Sequence, residues 1–142
     1  MSSKEISAVV MVIGSIVISA WVAWDAMSAG VPATMPEVAW KMLWAIGSVI
    51  VFNIVAVIVG VIVVSIIQRE EVKDERADER DKLINGRAMS AGYFVLSIGV
   101  LGVLIVQALG LAPNLTPYAL FGVSMLAGVS FAATQFALYR LA

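Results

Sequence analysis

Cysteine and histidine are both absent from this chain of 142 residues. Without cysteine there is no disulfide, no thiol redox chemistry and no thiolate metal site. Without histidine the commonest general base, metal ligand and haem ligand are missing together. Charge is scarce as well. Charged residues make up 13% of the chain and the formal net charge is −1. Direct nucleic-acid binding needs clustered excess positive charge, so this balance argues against it. What fills the space is apolar: 61% of the residues are hydrophobic. A soluble domain is about half apolar and about a quarter charged. A soluble fold of this size would have no polar coat to cover such a core.

The apolar residues fall into four stretches, each of at least spanning length, about 20 residues. They run over about 6–24, 38–67, 88–109 and 117–139. Backbone polar groups cannot be left bare in hydrocarbon, so each stretch is expected to be helical. The expected fold is an all-α membrane protein, a single membrane domain over 1–142. It is a bundle of four transmembrane helices with a charged, helical connector, 68–87, between the second and third. Lys4 ahead of an apolar run resembles a signal peptide, but the run is longer than a signal core and no cleavage site ends it. It reads as a retained first span. Thr34-Met35-Pro36-Glu37 has the spacing of a capping box with proline in the first turn. Thr116-Pro117 places a cap and a proline at the fourth helix, and Asn85-Gly86 reads as a break before the third.

Nine basic residues set the expected orientation: Lys4, Lys41, Arg69, Lys73, Arg76, Arg80, Lys82, Arg87 and Arg140. With four spans and the N-terminus inside, all but Lys41 lie on the cytoplasmic side, as the positive-inside rule requires. The expected location is a bacterial or archaeal cytoplasmic membrane with both termini cytoplasmic. Trp21, Trp24, Trp40 and Trp44 then lie together at the outer interface, where indole rings favour the headgroup level. Asp25 and Lys41 share that level and are placed to pair.

Residues 69–87 hold thirteen of the nineteen charges. At about 100° per residue, Arg69, Lys73, Arg76, Arg80 and Arg87 gather in one narrow sector, flanked by Val72, Ala77, Leu83 and Ile84. The acids occupy the remaining face. Three readings stay open. The segment is a solvated helical connector held by opposite charges at spacings of three and four; or an interfacial helix whose basic stripe meets anionic lipid; or a docking site for a cytoplasmic protein. The same segment contains Asp78-Glu79-Arg80-Asp81-Lys82-Leu83-Ile84, followed by Gly86-Arg87-Ala88. This resembles the charged signature of a family of small multi-spanning prokaryotic membrane proteins of unknown function. The resemblance covers about 20 residues plus the hydropathy profile. It implies a cytoplasmic regulatory protein as a partner, because members of that family are often encoded beside small helix-turn-helix regulators. It implies no catalytic residue.

Within the spans Asn53 is the polar residue nearest a membrane centre. It is expected to face another helix as interhelical glue, or else to line a substrate path. No span carries a charge at depth, which disfavours proton-coupled transport. Small residues repeat every four positions at Ser124, Gly128 and Ala132, at Ser15, Ser19 and Ala23, and at Ala56 and Gly60. Such stripes pack helices within one bundle or join copies into a homo-oligomer. The expected function is non-enzymatic, through helix packing and association, as an accessory subunit of a larger membrane complex or as the membrane partner of a regulator. The alternative is a passive channel or transporter formed by an oligomer. No cofactor, metal or catalytic residue is expected, because the acids of 70–81 match no metal loop.

Overall fold

The computed structural model describes residues 3–68 and 79–141. It is all-helical among those residues, with four long helices: α1 (Ser3–Ser28), α2 (Met35–Gln68), α3 (Glu79–Ala108) and α4 (Thr116–Leu141). A short 3-10 turn, Pro113–Leu115, precedes α4. All four helices are long and apolar enough to cross a membrane. Each is longer than its apolar stretch, because flanking residues at one or both ends stay helical.

The largest extension is at α3. Its helix begins at Glu79 and runs unbroken through Asn85-Gly86, where the sequence suggested a break. Local chemistry explains the difference. A single glycine in a helix costs only about 1 kcal/mol, and here Ile84 and Ala88 are buried on either side of it. Gly86 itself meets nothing that a side chain would strike. The true helix ends use glycine differently. Gly30 and Gly110 have φ of +80° and +100° and close α1 and α3. After α3 the Leu111 amide donates to the Val106 carbonyl and the Gly110 amide to the Gln107 carbonyl. This paired pattern requires a left-handed residue at the turn.

Packing follows a narrow strip on each helix. On α2 the strip is Val38, Met42, Ala45, Val49, Asn53, Ala56 and Gly60. These spacings of three and four keep one side facing a neighbour. Helix α1 packs on α2 and on α4, and α3 packs principally on α4. The helices therefore follow one another in the order α2, α1, α4, α3, with α2 also touching α4 near its start. The buried centre is there: Val22 of α1, Val38, Met42 and Ala45 of α2, and Phe121 of α4. Further along, α2 packs on α1 through close contacts such as Gly60 against Ile6. The outward faces of α2 and α3 are apolar and bare, from Ile50, Val51 and Ile54 to Phe94, Leu101 and Leu104. In water such a surface would drive association.

Candidate functional site

Polar side chains gather at the two ends of the bundle. At one end α1 finishes and α2 begins. Lys41 Nζ donates to Asp25 Oδ2 in a close ion pair, the pairing that the sequence allowed. Both groups are partly exposed, so the pair holds the hairpin weakly. Trp21, Trp40 and Trp44 stand beside it and, with Pro32, Glu37 and Lys41, line a groove of about 490 Å³. Trp24 is exposed outside that lining.

The second hairpin is fastened to the first at this end. Asn114 Nδ2 donates to the Pro32 carbonyl at 3.0 Å, across 82 residues of chain. Gln107 Nε2 donates to the Leu111 carbonyl at 3.2 Å, and Thr116 Oγ1 donates to Gln107 Oε1 at 2.6 Å. Thr116 was expected to cap α4 from outside. Instead it is the first residue of that helix and its hydroxyl ties α4 back to α3. The roles of Asn114 and Gln107 were not legible in the sequence. The only signal was a polar residue at each end of a Pro- and Gly-bounded loop.

At the opposite end Tyr139 Oη donates to Asp81 Oδ1 at 2.9 Å, joining the last turn of α4 to the first of α3. Arg140 approaches Glu5 at 4.0 Å and stacks 5.1 Å from the Phe136 ring. Of the basic stripe, Arg80 and Arg87 are exposed on α3. Arg69, Lys73 and Arg76 lie outside the described residues.

Between the ends the polar inventory is small. Asn53 does face another helix: its Oδ1 lies 3.0 Å from the Cβ position of Gly14 on α1. That oxygen is buried and has no hydrogen-bond partner. The placement matches interhelical glue, but the hydrogen bond that would make it glue is not formed by this atom. The stripe on α4 divides. Ala132 is fully buried and Gly128 meets Met11 of α1. Ser124 is exposed and donates to the Leu120 carbonyl of its own helix. A second seam went unremarked in the sequence. On α3 Gly92 faces Ala127 and Phe131, and Gly99 faces Val123, which brings α3 close against α4. Its signal was the four- and seven-residue spacing of Ala88, Gly92 and Gly99. Among the described residues no three acids cluster to hold a metal ion.

No protein-family model, curated protein or solved structure matches the chain.

Proposed function

We propose that this chain is a multi-pass membrane protein that works by association, as an accessory subunit or the membrane partner of a regulator. The observation that carries the reading is the uneven use of its surface. Helices α2 and α3 each bury one narrow strip and leave the opposite face apolar and bare. A bilayer satisfies such faces, and protein contacts in a bilayer arise from packing, small residues and polar groups. Both termini and the charged segment 69–87 are cytoplasmic in this reading, which places Arg80 and Arg87 where an anionic surface or a regulatory protein meets them. The positive-inside distribution supports this orientation.

The test is the mass of the assembly released from native membrane by native mass spectrometry. A homo-oligomer or a stoichiometric complex with a second protein supports the reading. A monomer that conducts ions or solutes in planar bilayers favours the channel alternative and overturns association.

A further inference from the structure

The tryptophan-lined groove invites a second use. Indole rings at this level anchor a protein at the interface, and that accounts for their presence near the helix ends. It does not account for their arrangement. Trp21 comes from α1, while Trp40 and Trp44 stand one turn apart on α2, and the three face one space with Pro32 and Glu37. Pro32 is held by the hydrogen bond from Asn114, so that wall belongs to the locked loop pair. The indoles are 48%, 65% and 74% exposed, which leaves their faces open to a ligand.

The charge of the groove is decided by who holds Lys41. Its Nζ is engaged by Asp25 of α1, so the ammonium is balanced from outside the lining. Glu37 is exposed in the first turn of α2. It brings a carboxylate to the edge of this open aromatic groove. Glu37 is the only lining side chain that accepts hydrogen bonds, since indole donates only. A primary ammonium carries three N–H donors, and one carboxylate is the only side-chain acceptor that the lining offers them. A quaternary ammonium has no N–H to satisfy, and its positive methyls are attracted to indole faces. An anionic head would be repelled by Glu37.

The geometry points to a groove for the trimethylammonium head of an amphiphile, seated among Trp21, Trp40 and Trp44 and paired with Glu37. The amphiphile's apolar tail continues along the same face of α2 past Val51 and Val55, both more than half exposed. This goes beyond association and does not depend on it.

The experiment is calorimetric titration of the full chain in non-ionic maltoside micelles with decyltrimethylammonium. Choline, the uncharged amphiphile decanol and phosphatidylcholine in nanodiscs are run as separate arms. Saturable binding to one site is expected, with choline much weaker because it lacks the tail. Phosphatidylcholine competing for the site would identify a bilayer lipid as the source; no competition would identify a single-chain amphiphile. Glu37→Gln and Trp40→Leu should each weaken binding about tenfold, with helix content unchanged by circular dichroism. Glu5→Gln, at the far end, should leave it unchanged. Equal binding by parent and Glu37→Gln, or equal competition by decanol, would overturn the proposal. So would uptake that never saturates.

Discussion

A methyl group is enough to distinguish the glycines of this chain. A Cβ on Gly14 would lie 2.9 Å from a Phe52 ring carbon and 3.0 Å from Asn53 Oδ1, whereas one on Gly47 would meet nothing within 4 Å. The two alanine substitutions should therefore differ in sign. Gly47→Ala removes a poor helix former at no steric cost and should stabilise by about 0.5–1 kcal/mol. Gly14→Ala must move α1 from α2 and should destabilise by about 1–3 kcal/mol. Unfolding in mixed maltoside and dodecyl sulfate micelles measures both. Asn53 adds a second residue-level test. Its Oδ1 is buried and unpaired, and replacing such a group by an apolar one of similar shape is near neutral or stabilising. Asn53→Leu should leave stability unchanged or raise it by up to about 1 kcal/mol. A loss beyond that in the same unfolding assay would reveal a hydrogen bond that Asn53 makes in the membrane.

At the scale of the element, α3 joins two environments. Its first three turns carry all of its charged side chains, yet Ile84 and Ala88 are buried and Asp81 accepts from Tyr139. Tyr139→Phe removes that hydrogen bond and leaves the ring. Its cost should be about 0.5–1.5 kcal/mol, confined to the end of the helix. Hydrogen exchange should quicken over residues 79–84 and stay slow over 92–103. Equal quickening along all of α3 would show that Tyr139 supports the whole α3–α4 seam. The basic stripe makes a separate prediction. Each basic residue near an anionic surface contributes about 1 kcal/mol, more than the few tenths from an ion pair within a helix. In nanodiscs with anionic lipid, exchange across 69–87 should slow relative to neutral lipid. Equal exchange in both would exclude the interfacial arrangement, and slowing only with cytoplasmic extract would indicate a docked protein.

Hydropathy made the four helices legible because an apolar run of membrane length leaves the backbone little alternative. The pairing of Asp25 with Lys41 was also legible, since one hairpin brings them to one level. The break at Asn85-Gly86 was not, because burial of Ile84 and Ala88 outweighs a local turn preference and tertiary packing is silent in a single sequence. The α3–α4 glycine seam was missed for a related reason. In a chain rich in small residues, spacing marks many stripes, and only the partner's position shows which one is used.

For the whole molecule, the charge at each end decides which way the proposed membrane protein would insert. Lys41 is at the tryptophan end and is paired there with Asp25. Arg80, Lys82, Arg87 and Arg140 are at the other end, where Tyr139 and Asp81 close the bundle. Lys4 begins α1 at that same end. An insertion that put the second end outside would carry all of these basic residues, and those of 69–78, across the membrane. Only Lys41 would then be retained inside. Translocation resists positive charge in short loops near the spans, whereas acids count for little, so the seven acids of the connector do not cancel the bias. Reporter fusions at 30, 78, 113 and 142 measure the result directly. Fusions at 78 and 142 should be active in the cytoplasm, and fusions at 30 and 113 outside it. External activity at 78 would invert the orientation and place the tryptophan groove in the cytoplasmic leaflet.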